Sequence, residues 1–173
     1  LGPMLNLRIT QPDLLVDISH IEGLSSVEDG RDTLSLGGGI RHADIEDEIV
    51  PDAANGMLRY VAAGISYRGV RNRGTLGGSL AHADPAADWP VAMMALDATL
   101  SVTGAEGSRT VAATGLIDAP LMTVLADEEV VERIKIPKLS ADANWGYHKL
   151  CRKVGEFAHS LAAAVIDRDR GYG

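Results

Sequence analysis

The stretch RNRGTLGGSLAHADPAAD, Arg71 to Asp88, sets three glycines within five residues beside a threonine, a serine, a histidine and two aspartates. So many glycines weaken a helix interior, and apolar residues are too few for a core strand, so the stretch reads as a loop kept for something other than folding. Because glycine has no Cβ, Gly74, Gly77 and Gly78 allow the backbone to approach a ligand, to take positive φ and to expose successive N–H groups, which bind oxygen atoms. Pro85 can open a helix with Asp84 as its cap, placing the loop beside a helix N-terminus and its partial positive charge. Thr75 and Ser79 add hydroxyls, and Asp88 adds an acceptor for ligand hydroxyls. The combination suggests a ligand carrying phosphate and sugar. It matches neither GxGxxG nor GxxxxGK[ST], and glycine-rich turns also arise for purely steric reasons.

On either side of the loop the chain alternates between strand and helix signals. LLVDIS (Leu14 to Ser19) and TLSLGG (Thr33 to Gly38) are short, apolar and bounded by Pro12, Asp13, Asp29 and Gly30, and read as neighbouring strands. ADIEDEIV and, after Pro51, DAANGMLRYVAAGI read as two short helices; in the second, Met57, Leu58, Val61 and Ala62 share one face. A helix is expected from about Pro85 to Asp97, with Val91, Met94, Ala95 and Ala98 at helical spacing. TLSVTG and SRTVAA flank the turn AEGS as a β-hairpin, and EEVVERIKIP ends at Pro137 as a strand does. The polar run LSADAN then places a domain boundary near Leu139, ahead of WGYHKLCRK and FAHSLAAAVI. The opening Leu1-Gly2-Pro3-Met4, without an initiator methionine, and the closing DRDRGYG are those expected of a piece of a longer chain.

Composition narrows the function classes. With 173 residues and 46% hydrophobic content the chain can build a substantial core. Its 24 acidic against 16 basic residues, a net charge of −8, offer no electrostatic reason to bind nucleic acid or an anionic membrane. No apolar run approaches a membrane span and no signal sequence is evident, so a cytoplasmic protein is expected. Cys151 is the single cysteine, and an iron–sulfur cluster normally takes four protein ligands, so any such cluster belongs to another chain.

The segment RNRGTLGGSLAHADPAADWP with the following ALDATL resembles the second flavin-binding segment of the FAD-binding middle subunit of the molybdenum hydroxylases, the group containing aerobic carbon monoxide dehydrogenase and xanthine dehydrogenase. The resemblance extends through LGPMLNLRITQPDLLVDISHIEGL on one side and EEVVERIKIP and WGYHKLCRKVGEFAHSLAAAV on the other. It implies an α+β fold of the vanillyl-alcohol-oxidase type, mainly antiparallel sheet with surrounding helices, over residues 1–138, and the start of a smaller C-terminal α+β domain over 139–173. It further implies an oxidoreductase subunit in which FAD takes electrons from two [2Fe–2S] clusters of a small subunit, fed by the molybdenum cofactor of a large subunit, and passes them to NAD, a quinone or oxygen. A dimer of heterotrimers is the implied assembly. Carried over by position, Thr75, Gly77, Gly78 and Ser79 would face the pyrophosphate and ribityl region, and Asp88 the ribityl or ring-proximal polar atoms. His82 would lie against the flavin, Val130 and Val131 near the isoalloxazine, and Lys149 would be a basic residue at the flavin. The family's first flavin loop would precede Leu1 and is not in the chain.

Two alternatives remain open. His42, His82, Asp84 and Asp88 offer nitrogen and carboxylate donors for a metal-dependent hydrolase, although no familiar metal-ligand spacing is present. A flavin-less scaffold subunit is the other. Gly37 to Gly39 is explained either as a tight strand-to-helix turn or as a second anion loop, and the basic cluster around Cys151 as a subunit contact or solvated face.

Overall fold

The computed structural model describes residues 2–171. In chain order the elements are α1 (Gly2–Asn6), β1 (Val27–Asp29), β2 (Thr33–Gly37), α2 (His42–Glu46), α3 (Met57–Ala63), α4 (Arg68–Arg71), α5 (Leu76–His82), α6 (Asp88–Ala95), β3 (Thr99–Gly104), β4 (Gly107–Ala112), β5 (Ile117–Ala119), β6 (Met122–Thr123), β7 (Val130–Pro137), β8 (Asn144–Leu150) and β9 (Ser160–Ile166). Five strands form one sheet in the order β1-β2-β7-β3-β4, every pairing antiparallel. Its register aligns Leu36, Ile134, Leu100 and Val111 across four successive strands, and all four are buried. Cross-strand apolar neighbours of this kind are the unit of sheet stability. Met57, Leu58 and Val61 of α3, Leu76 and Leu80 of α5, and Trp89 and Met93 of α6 close the same core. The architecture is the expected α+β class with an antiparallel sheet.

The hairpin β3–β4 and the strand ending at Pro137 form where the sequence predicts them. LLVDIS does not form a strand. Leu14, Leu15 and Val16 are exposed, and β2 pairs instead with Val27–Asp29 across a tight turn in which Gly30 N–H donates to the Thr33 carbonyl at 3.0 Å. The other edge of β2 is taken by β7, so the sequence-local hairpin claims the remaining one. The helix expected from Pro85 begins at Asp88, because Asp84 closes a local turn through its carboxylate to Ala86 N–H at 2.8 Å rather than capping a helix.

The hairpin β8–β9 is a separate two-stranded sheet. Alternation turns Trp145, Tyr147 and Lys149 inward against α3 and α6 and leaves Asn144, Gly146, His148 and Leu150 outward. No described helix is long and apolar enough to cross a membrane.

Candidate functional site

Two glycine turns meet beside the end of β2. The first, Gly37–Ile40, leads from β2 into α2; the second, Gly74–Gly78, leads from α4 into α5. They run antiparallel, with His42 N–H donating to the Gly74 carbonyl at 3.0 Å, Leu76 N–H to Ile40 at 2.9 Å and Gly77 N–H to Gly38 at 2.9 Å. Side chains are excluded from this crossing. A Cβ on Gly38 would stand 2.1 Å from the Val131 carbonyl oxygen, one on Gly39 2.8 Å from that of Leu24, and one on Gly77 2.7 Å from that of Gly38. A β-bulge in β7 opposite Ser101 and Val102 re-aims the strand so that the Glu132 carbonyl accepts Gly38 N–H at 2.8 Å, pinning the first turn to the sheet.

The glycine-rich stretch is therefore not the open loop the sequence suggests. Seven of its residues form α5, with Thr75 as N-cap accepting Gly78 N–H on Oγ1 at 3.1 Å. Burial of Leu76 and Leu80 one helical turn apart outweighs the poor helix propensity of Gly77 and Gly78. None of Gly74, Gly77 and Gly78 takes positive φ, and the amides of Gly77 and Gly78 already donate within the chain. Gly77 serves close approach of backbone to backbone, whereas a Cβ on Gly74 would meet the His42 ring at 2.7 Å and one on Gly78 the Thr75 hydroxyl at 2.8 Å.

The crossed turns form one wall of a cleft of about 1260 Å³, larger than the roughly 300–1,000 Å³ of pockets for drug-sized ligands. Gly38, Gly39, Thr75, Gly77 and Gly78 line it together with Val130 and Val131. Val16, Ile18 and Ile49 add apolar surface, and Arg41, Asn72 and Arg73 add donors. Asp17, Asp44 and Glu129 also line it, so the lining is amphipathic and of mixed charge, suited to a ligand with a flat apolar part and a polar part. Sequence reasoning passed over Arg41, Arg73 and the segment from Val16 to His20, which come to the cleft only through the tertiary arrangement. The GGG of Gly37–Gly39 was the available signal, and only the clashes of absent Cβ atoms distinguish its role from an ordinary turn.

The remaining sequence candidates lie elsewhere. Ser79 and the exposed His82 are on α5, outside the cleft lining, although Ala81 between them reaches it. Asp88, at the start of α6, is buried. Its Oδ2 is 2.9 Å from Lys149 Nζ, and its Oδ1 accepts the Tyr147 hydroxyl at 2.5 Å. Burial, then this hydrogen bond and the carboxylate charge, hold the Tyr147 phenol above its usual pKa, so it remains the donor. Asp88 and Lys149 therefore satisfy one another and tie the hairpin β8–β9 to α6.

His42 is also buried and committed. Trp89 Nε1–H donates to its Nδ1 at 3.0 Å, and burial, aided by the nearby Arg71 charge, pushes its pKa down to about 4, so the ring is neutral at pH 7. Among the described residues no three His, Cys, Asp or Glu side chains converge as a metal site would require. Of the donors considered for a hydrolase, His42, Asp88 and Asp84 are spent on Trp89, Lys149 and a local turn, and His82 stands exposed on α5.

Comparison with known proteins agrees with this geometry. The family described as FAD binding domain in molybdopterin dehydrogenase matches residues 1–139. The chain is 36% identical over 166 residues to the nicotine 6-hydroxylase medium subunit of Paenarthrobacter nicotinovorans, covering 95% of this chain and 57% of the relative. Among solved structures, carbon monoxide dehydrogenase from Hydrogenophaga pseudoflava lacking the Mo-pyranopterin moiety of its cofactor superposes with a TM-score of 0.90 at 36% identity, over 95% of this chain and 57% of that one. Quinoline 2-oxidoreductase from Pseudomonas putida 86 gives 0.86 at 34% identity, over 94% and 56% respectively. The chain thus spans less than three fifths of the length of the proteins it matches.

Proposed function

The chain belongs to the FAD-binding-domain family of the molybdopterin dehydrogenases, and on that premise we propose that it is the flavoprotein part of a molybdenum hydroxylase. In this reading electrons from a molybdenum site on a large subunit, relayed by [2Fe–2S] clusters on a small subunit, leave through FAD held on this chain to NAD, a quinone or oxygen. A bound isoalloxazine supplies reversible uptake and release of electrons; the chain supplies binding, orientation and shielding.

The carrying observation is the cleft over the crossed glycine turns. Its size and mixed lining fit an FAD, and its floor is kept bare by glycines: a Cβ on Gly77 would meet the Gly38 carbonyl, one on Gly38 the Val131 carbonyl and one on Gly39 the Leu24 carbonyl. Gly77 and Gly78 let the ligand approach backbone, Thr75 and the arginines face its polar part, and Val130 and Val131 give an apolar wall that excludes water from its ring. Asp88 and Lys149 act at one remove by fixing the hairpin β8–β9, which begins the second domain beyond a boundary near Leu139. A large and a small partner subunit, assembled as a dimer of heterotrimers in the cytoplasm, complete the proposal.

The test is to purify the complex through this chain and analyse its cofactor. FAD released on denaturation, with iron–sulfur absorbance from co-purifying chains, is expected; a colourless complex refutes the reading. Gly78→Val, which puts a branched side chain into the cleft and a Cβ 2.8 Å from Thr75 Oγ1, is expected to abolish flavin retention with the partners still bound.

A further inference from the structure

His42 does not line the cleft, yet the second glycine turn rests on it. It opens α2 just after the first turn, and its N–H donates to the Gly74 carbonyl at 3.0 Å. Its ring packs against Gly74: a Cβ there would stand 2.7 Å from Nε2 and 2.9 Å from Cδ2. Trp89 of α6, fully buried, donates Nε1–H to Nδ1 at 3.0 Å. The imidazole is therefore wedged between α6 and Gly74, the residue before the cleft-lining Thr75.

An indole nitrogen only donates, so Nδ1 holds no proton and the neutral ring carries its single proton on Nε2. A second proton would go to Nδ1 and set two donors against each other at 3.0 Å, on a ring that is buried. Arg71 of α4 is the charge that acts on the ring, and it opposes protonation further. It is itself held on Glu46 of α2, at 2.7 and 2.9 Å. The other charged groups on the surrounding helices are paired: Asp44 of α2 with Arg41, Arg59 of α3 with Glu48, Arg68 of α4 with Glu46 and Asp47, and Asp88 of α6 with Lys149. α5 brings only His82, which is exposed. A protonated imidazole has to leave the wedge, and the turn packed on it then loses its support.

We propose that His42 is a positioning residue for the flavin: its imidazole, propped by Trp89, holds the Gly74–Gly78 turn in the form that binds FAD, and FAD retention follows the protonation of that ring. This rests on the cleft being the FAD site. His42 touches no ligand and acts through the turn. With FAD bound the ring stays neutral; in a flavin-stripped complex whose turn relaxes, it regains an ordinary pKa near 6.5. FAD affinity is therefore full above about pH 6.5 and is lost as pH falls toward about 4, the direction set by a group that binds protons more readily in the empty form.

The experiment measures FAD dissociation by equilibrium dialysis between about pH 7.5 and about pH 5, on the intact complex carrying the parent chain, His42→Asn, His42→Leu or Trp89→Phe, with circular dichroism at each pH to show that the complex stays folded. The parent is expected to bind FAD about tenfold or more weakly at the acid end. In His42→Asn, Oδ1 can still accept the Trp89 N–H but nothing titrates, so the profile should be flat, with tighter binding than in His42→Leu, which leaves that N–H unpaired. Trp89→Phe removes the donor that disfavours the second proton, and should move the acid limb upward by about one pH unit. A parent affinity that is level across the range, or a His42→Asn profile with the parent's acid limb, overturns the role of His42 while leaving the cleft as the FAD site. So does a Trp89→Phe profile weakened equally at every pH, since that is the mark of a core residue alone; should Trp89→Phe fail to fold, His42→Asn decides. A parent complex that binds no FAD at the neutral end overturns both readings.

Discussion

Lys149→Met tests whether the Asp88–Lys149 contact is a buried structural pair. The substitution keeps an unbranched apolar stem and removes the ammonium that sits 2.9 Å from Asp88 Oδ2. The two side chains are only 10% and 5% exposed, so the abandoned carboxylate has little water to turn to. Removing one partner of such a pair costs about 3–5 kcal/mol, because the other charge stays desolvated. Tyr147 still donates to Asp88 Oδ1, which places the expected loss near the lower end, about 3 kcal/mol. For a domain of this size about 1 kcal/mol moves the melting midpoint roughly 2–4 °C, so a drop of about 6–12 °C is expected. Thermal and urea unfolding followed by circular dichroism would compare the parent, Lys149→Met, and Lys149→Met with Asp88→Asn. The double variant should regain most of the loss, since removing both charges removes the desolvation penalty. A Lys149→Met midpoint within about 2 °C of the parent, or a double variant as unstable as the single, refutes the buried pair. Unchanged stability together with lost flavin would instead place Lys149 at the ligand.

Three further outcomes follow from the same geometry. Gly77→Ala sets a Cβ 2.7 Å from the Gly38 carbonyl oxygen and should cost about 1–3 kcal/mol by forcing the turns apart, whereas Gly115→Ala, with nothing within 4 Å of its Cβ, should be near neutral in the same unfolding assay. Thr75→Ala removes the cap on Gly78 N–H and should lose about 1 kcal/mol, with Thr75→Ser retaining most of it. His42 has a folded pKa of about 4 against an ordinary 6.5, so the unfolded chain takes up a proton first as pH falls. The stability His42 contributes is fully present above about 6.5 and is lost as pH falls toward 4, by roughly 3 kcal/mol in all. His42→Asn should flatten the pH dependence of unfolding in that window; an unchanged slope would show that His42 is not held neutral by burial.

Much was legible in the sequence because it rests on short-range chemistry. The hairpin β3–β4 follows from alternation on both sides of a tight turn, the buried face of α3 from Met57, Leu58, Val61 and Ala62 at helical spacing, and the end of β7 from Pro137. The family resemblance is likewise carried by local residue order around Gly74 to Asp88. Tertiary structure decided what local preference could not. LLVDIS has strand composition but no free partner, since β7 and β1 occupy both edges of β2. Gly77 and Gly78 disfavour a helix, yet they lie in one because Leu76 and Leu80 find the core and only a bare Cα fits against Gly38. Asp88 and Lys149 are 61 residues apart and meet as a pair, while Arg73 joins Val16 and Val130 in one cleft lining. Burial and charge pairing depend on which distant segments come together, and that is a property of the fold rather than of any stretch of sequence.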